Sequence, residues 1–344
     1  MTQRPRDWLP TELPTPTRAR QVALILTLAV ASTLGLNALA GEALEELTTN
    51  RGYWLVHQKW DLLDSLDEPV DWLILGDSSC NQGVRPDVFE TRLGESAVNL
   101  CTVGDLLAVN DAWMLERYIE DYGSPRHVVV VHVYDMWYRD VRFLNRQPLL
   151  AKIPLPWDFW EDLDPAVSLD SSQENKLFVA RYLPLWAENK TLASWLHHPS
   201  LVLDRDFELT EDGFMGLDEP NPKNVRKDAR EHLQFTRSQR FSLSPINRDA
   251  LEQIGELSDR HGFDVWLASG PLWEGVWGDP HFRRYFDATM RGLAEVAAGH
   301  DHMRVVLRDP VRFPDEDMEN VDHLTEDAAA VYTERLIDAV HPGR

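Results

Sequence analysis

Residues 71–83 read Asp-Trp-Leu-Ile-Leu-Gly-Asp-Ser-Ser-Cys-Asn-Gln-Gly. The apolar run Trp72 to Leu75 stops at Gly76, and Asp77-Ser78 follow at once. Open α/β sheets bind their ligands outside the carboxyl ends of the strands. A strand that ends in Gly delivers the next side chains to that edge. The Gly permits a sharp turn, and the following helix begins with its N–H groups facing whatever sits there. Ser78 is therefore either a nucleophile or a cap of the helix after the strand, and this stretch alone leaves both open.

The pattern repeats along the chain. A helix near Pro86–Leu93 carries Pro at an early helical position. Strand Ala97–Leu100 precedes a helix over Leu107–Tyr122, in which Val109, Trp113, Leu115, Tyr118 and Ile119 include several 3–4 spacings. His127–Val133 holds five valines, and such a β-branched run reads as a central parallel strand buried on both faces. From Asp140 the rhythm breaks. Prolines punctuate the stretch to Ser244, and aromatic residues cluster at Trp157-Asp158-Phe159-Trp160. An irregular segment that long inside a compact domain is an insertion with its own covering or binding role. The alternation resumes with helix Asn247–His261, strand Asp264–Ser269, helix His281–Ala298, strand Met303–Leu307 and a last helix over Thr325–Val340. Five strands alternating with helices predict a three-layer α/β/α domain with a mostly parallel five-stranded sheet over residues 69–344, with an insertion at 140–245.

Arg4, Arg6, Arg18 and Arg20 precede an uncharged stretch from Gln21 to Ala40. Twenty helical residues rise about 30 Å, the thickness of a bilayer core. Basic residues before the stretch and Glu42, Glu45 and Glu46 after it place the N-terminus in the cytoplasm and the rest outside. Residues 1–20 then form a cytoplasmic tail, 21–40 a transmembrane anchor, and 42–68 a helical stalk. Ala38-Leu39-Ala40 also resembles a signal-peptidase site, in which case the segment is removed and the domain secreted. Export suits a disulfide between the two cysteines, Cys80 and Cys101, with two buried thiols as the other reading. The net charge of −23 repels phosphate backbones, so nucleic acid is not an expected partner.

A base for Ser78 is available. Asn320-Val321-Asp322-His323-Leu324-Thr325 precedes the last helix, and a loop there lies on the same carboxyl edge as Ser78. An imidazole can take the Ser proton and return it to the leaving group. That placement favours His323 over His132 or His261. Asp135, at the end of the central strand, is a candidate polar group of the same site. His197-His198 lack further ligands in any metal-site spacing, so no metal is expected there.

These blocks resemble the SGNH (GDSL-type) hydrolase superfamily. Gly76-Asp77-Ser78 with Gly83 is similar to its first block, Asn99 to Gly104 to its second, and Asp322-His323-Leu324-Thr325 to its last. Pro271 also fits. The resemblance covers roughly residues 70–138 and 246–340. The anchor and insertion look most like the exported branch with alginate-type O-acetyltransferases and the D-alanyl transfer protein. The resemblance implies a Ser–His acyl-enzyme mechanism without metal or organic cofactor. It also implies an acylated glycan or small acyl ester as substrate and a membrane protein that hands over the acyl group. Ser78 and Gly104 would supply oxyanion N–H groups. Two departures stand out. The third block normally has an Asn oxyanion donor, where this chain has Val133-Tyr134-Asp135; Tyr134, Asn81 or Asn110 would have to replace it. The acid three residues before the His is Asn320 here, leaving Asn320, Asp322 or Asp317 to orient His323. The other reading, a polysaccharide-binding or assembly protein that kept the fold without catalysis, follows from those departures.

Overall fold

A computed structural model describes residues 16–46, 48, 50–140, 153, 171–200, 208–217 and 219–341. The tail before Pro16 and the aromatic cluster at 157–160 lie outside the described residues. The chain forms strands β1 (Trp72–Gly76), β2 (Ala97–Asn99), β3 (His127–His132), β4 (Asp264–Ser269), β5 (Leu272–Trp273), β6 (Met303–Val305) and β7 (Arg312–Phe313). Five of them make one sheet in the order β2-β1-β3-β4-β6, with every neighbouring pair parallel.

Alternation along the strands builds the two helical layers. Leu73, Leu75, Val128, Val130, Val265 and Leu267 face one core, which helices Leu107–Tyr122, Pro245–His261 and Pro280–Ala297 cover. Trp72, Ile74, Val129, Val131, Trp266 and Ala268 face the other, under helices Pro86–Leu93 and Glu326–Val340. The sequence pattern anticipates this three-layer architecture. It does not anticipate the small parallel pair β5–β7, whose two-residue strands are too short to carry periodicity.

The stretch expected as a stalk divides in two. The apolar helix runs Pro16–Glu46, and a separate helix, Arg51–Asp64, lies on the domain with Val56, Trp60 and Leu63 in the first core. Lys59 on that helix is fully buried. Its ammonium donates to the Asn99 backbone oxygen (2.6 Å), to Asn99 Oδ1 (3.1 Å) and to the Gly213 carbonyl. Within the insertion, the described residues include helices Ser171–Tyr182, Pro184–Ala187, Asn189–His197 and Pro222–Ser238. At the N-terminus, Thr17–Gly41 is long and apolar enough for a membrane anchor or a signal sequence.

Two covalent features fix the edge where β1 ends. Gly76 has φ +150°, and a Cβ there would lie 1.9 Å from the Val131 carbonyl oxygen. Only glycine lets β1 pass that close to β3 as it turns. Cys80 and Cys101 form a disulfide that ties the helix after β1 to the loop after β2. The bridge closes a loop 21 residues in separation, and such loops contribute about 2–4 kcal/mol through the unfolded state. Replacing both cysteines with serine is expected to lower stability by that order. A thermal-unfolding midpoint in detergent equal to that of the wild type would count against it.

Candidate active site

Register brings the carboxyl ends together. Gly76 pairs with Val131, and His132 pairs with Ser269. Ser78 begins a four-residue helix, Ser78–Asn81, capped by Asp77, whose Oδ1 accepts from Ser79 N at 2.9 Å and Ser79 Oγ at 2.6 Å. The other Asp77 oxygen accepts from Val133 N at 2.9 Å and lies 3.3 Å from His132 Nδ1. The far side of the His132 ring meets Asp111. This Asp77–His132–Asp111 row is buried directly behind Ser78. Burial opposes charge on His132, but Asp111 and Asp77 outweigh it and lift the imidazole to about 9. Burial works against the Asp77 carboxylate too, yet its bonds to His132, Ser79 and Val133 N hold it down at about 2.

His323 comes from a tight loop closed by the Met318–Leu324 bridge. Glu319 N donates to the His323 carbonyl (2.9 Å), and Thr325 N to the Asp317 carbonyl (2.9 Å). Its Nε2 lies 3.0 Å from Ser78 Oγ, although the two residues are 245 positions apart in the chain. That is within reach for direct proton transfer.

The Nδ1 side is less conventional. Asn320 Oδ1 accepts from the backbone N–H groups of Asp322 (2.9 Å) and His323 (2.8 Å), so this atom is the oxygen and not the nitrogen. The Asn320 amide nitrogen therefore points at His323 Nδ1, 2.8 Å away. A donor against Nδ1 leaves the neutral ring's proton on Nε2, facing the Ser hydroxyl. A base needs the opposite tautomer. The nearest carboxylate to Nδ1 is Glu319, with Oε2 at 3.8 Å, and its other oxygen is held by Asn224 Nδ2 at 2.9 Å. The neighbouring His323 ring keeps the Glu319 carboxyl below its ordinary range. Asp322 sits on the other side, with Oδ1 3.7 Å from Nε2, and burial raises its pKa. It therefore cannot hold the Nδ1 proton in this arrangement. Burial disfavours charge on His323, but Asp322 and then Glu319 outweigh it and raise its pKa.

The remaining sequence candidates fall in different places. Gly104 opens the turn after β2, and a Cβ on it would lie 3.0 Å from Arg139 Nη1 and 3.7 Å from Asp77 Cβ. Asp135 accepts from Arg139 Nη2 at 3.0 Å. Burial opposes the Arg139 charge, and Asp135, Asp105 and Asp77 overcome it and raise its pKa. Arg139 thus brings a guanidinium beside Gly104. Tyr134 is sealed in the core, and its hydroxyl bonds His232 Nδ1 at 2.7 Å. Asn110 is spent on Trp60 Nε1 (3.1 Å) and Thr102 Oγ1 (3.2 Å). Asn81 is fully buried with both amide atoms unpartnered. Asp317 lies at the start of the His323 loop, its pKa raised by burial. Sequence reasoning misses Glu319, Arg139 and the helix Pro222–Ser238. From that helix Asn224 bonds Glu319, and Asp228 accepts from Val321 N at 3.3 Å. Glu319 is legible only as an acid four residues before the His. Elsewhere, Glu95, His127 and His341 bring three donor atoms within 4.8 Å of one another. They cluster where β1 and β3 begin, at the opposite edge of the sheet from Ser78.

Neither a protein-family model nor a curated protein matches this chain. Among solved structures, a Streptococcus pneumonia protein described as a platelet activating factor aligns over 89% of this chain and 100% of its own, at 12% identity and a TM-score of 0.40. A likeness that remote says nothing about chemistry.

Charge on His132 stabilises the fold fully below its ordinary pKa of 6.5, and that contribution is lost as pH rises through about 9. The thermal midpoint is therefore expected to fall between pH 7 and 10. The fall should flatten in His132→Gln. Parallel profiles for the two proteins would refute the assignment.

Proposed function

We propose that the protein is a serine acyl-transfer enzyme of the SGNH type, working outside the cytoplasm as an ester hydrolase or O-acyltransferase on an acylated glycan or small acyl ester. The observation that carries this reading is the 3.0 Å approach of His323 Nε2 to Ser78 Oγ at the carboxyl edge of a parallel sheet. In the proposed cycle His323 Nε2 takes the Ser78 proton as Oγ bonds to the acyl carbon. The oxyanion is met by the N–H groups of Ser78 and Gly104, with the Arg139 guanidinium beside them. The leaving alcohol then departs with the proton from His323, and the acyl group stays on Ser78. Water or a glycan hydroxyl gives its proton to His323 as it attacks the ester, and His323 passes that proton to Ser78 Oγ as the acyl–Oγ bond breaks. No step draws on a metal or organic cofactor. The acyl donor would come from a membrane partner.

The first step requires the proton on Nδ1 and the lone pair on Nε2. Asn320 opposes that tautomer and Glu319 supports it, because its Oε2 needs less than about 1 Å of movement to accept from Nδ1 within hydrogen-bond range. Glu319 is therefore the orienting acid in this reading. In a serine protease, Asn in place of the orienting Asp lowers turnover about 10⁴-fold by fixing the wrong tautomer. Asn320→Asp keeps an oxygen for the two backbone N–H groups and adds an acceptor for Nδ1. Hydrolysis of a chromogenic acetyl ester is expected to rise at least tenfold or so in that variant. Glu319→Gln is expected to lower kcat and to shift the acidic limb of the kcat/KM profile downward, because the raised pKa of His323 owes part of its rise to that carboxylate. Unchanged kinetics in both variants would remove Glu319 and Asn320 from the mechanism.

The Asn320 amide against Nδ1 is also what favours the second reading, a non-catalytic glycan-binding or assembly protein. A fluorophosphonate separates the two. Covalent labelling of the wild type that is lost in Ser78→Ala supports the enzyme. No labelling of either protein, with equal retention on an acylated polysaccharide, supports the binding protein.

A further inference from the structure

Among the described residues, the large hydrophobic side chains left exposed are confined to two places, with Val331 as the single exception. One is the apolar helix, from Val22 to Leu39. The other is the insertion, where Trp186 is 73% exposed, Leu196 65%, Phe178 47%, and Trp195 and Tyr182 43% each. A soluble surface scatters such residues singly, whereas a contiguous group marks a surface built to be covered.

The two places are joined. The helix Pro184–Ala187 packs on the end of the apolar helix: Leu185 N donates to Asn37 Oδ1 at 3.2 Å, and Pro184 Cγ lies 3.4 Å from where a Cβ on Gly41 would be. Asn37 is only 6% exposed as a result. The span Thr17–Gly41 is 25 residues. At 1.5 Å per residue it is about 37 Å long, against a hydrocarbon core of about 30 Å. Centred in the core, the span leaves roughly 4 Å beyond it at each end, so its last residues, Leu39 to Gly41, reach the headgroup layer, and Leu185 and Pro184 are fastened beside them. Trp and Tyr concentrate at that layer because the ring is apolar and its N–H or O–H is not.

Charge points to the same occupant. Residues 171–200 hold three basic residues (Lys176, Arg181, Lys190) against two acidic ones, in a chain of net charge −23. One of the acids, Glu188, is buried and accepts from Thr191 Oγ1 at 3.1 Å. The segment therefore carries a slight positive charge in an otherwise acidic protein, beside the apolar helix, and does not repel an anionic headgroup layer.

We propose that helices Ser171–Tyr182, Pro184–Ala187 and Asn189–His197 form a monotopic membrane-binding platform, with Trp186, Trp195 and Leu196 inserted among the lipid headgroups next to the span Thr17–Gly41. The proposal rests on that helix crossing the membrane and is independent of the chemistry at Ser78. The platform would hold the insertion flat against the bilayer.

The test uses the full chain in vesicles of phosphatidylcholine and phosphatidylglycerol. Both native cysteines are engaged in the disulfide, so single cysteines at Trp186, Trp195, Leu39 and Glu256 can each carry a spin label. Leu39 reports the headgroup depth where the span ends and Glu256 an exposed helix of the domain. Labels at 186 and 195 are expected to match Leu39, losing access to a water-soluble nickel chelate and gaining access to oxygen. Labels that match Glu256 overturn the proposal. Labels shielded from both reagents also overturn it, because they place a protein on that face instead of lipid. A Leu39 label as open to the nickel chelate as the Glu256 label would overturn it at its root, by removing the span.

Discussion

The Asp77 carboxylate is the contact on which the carboxyl edge of the sheet around Ser78 depends. It caps the helix that presents Ser78, receives the N–H of Val133 beyond the end of β3, and faces the buried His132. A carboxylate with no exposure would be costly alone. Here three N–H or O–H donors and an imidazole offset that cost, and Asp111 balances the imidazole in turn. With both carboxylates ionised and His132 charged, the row leaves one net negative charge behind Ser78. That charge stiffens the frame and also bears on the site, since Asp77 contributes to the raised pKa of His323. Gly76 makes the arrangement possible, because only a residue without Cβ lets β1 end so close to Val131.

Much of this was legible from residue pattern. The valine run of β3 and the block Trp72–Gly76 mark buried parallel strands, since each face must be apolar when helices cover both. The convergence of Ser78 and His323 follows from topology: a loop after the last strand must return to the carboxyl edge. Periodicity could not supply the rest. Glu319 is one acid among 57 acidic residues, and only the closed loop from Met318 to Leu324 reveals that it flanks Nδ1. Tyr134 looked available as an oxyanion donor because it ends a strand, but its ring turns into the core and its hydroxyl meets His232. Arg139 carried no signal at all, because its position depends on Asp135 four residues earlier and on the bare backbone of Gly104.

The Asn320 side chain has two jobs that compete. Its oxygen closes the loop by accepting two backbone N–H groups, a task Asn and Asp perform equally well. Its nitrogen then has nowhere to go but Nδ1 of His323. An Asp would close the loop and orient the imidazole with the same side chain. The loop thus keeps its shape while the tautomer preference reverses, and in the proposed mechanism the task of compensating falls to Glu319. Asn224 holds that residue from the helix Pro222–Ser238, which belongs to the insertion. The insertion is in this way tied to the site at one end, through Asn224 and Asp228, and to the apolar helix at the other, through Leu185.

Lys59 completes that mechanical link. A fully buried lysine is expensive, and burial pushes its pKa well down. Three carbonyl oxygens, two from Asn99 and one from Gly213, make the position tenable. Asn99 in turn donates to the Cys80 and Val84 carbonyls, on either side of the turn after the Ser78 helix. Helix Arg51–Asp64 is therefore locked to the frame of the candidate site, and only residues 47–50 separate it from the end of the apolar helix. A connection of four residues spans at most about 14 Å. A domain held that closely cannot roam as one on a flexible stalk would. If Thr17–Gly41 crosses the membrane, the substrate must come to the bilayer surface, because the tether does not let the site go out to meet it.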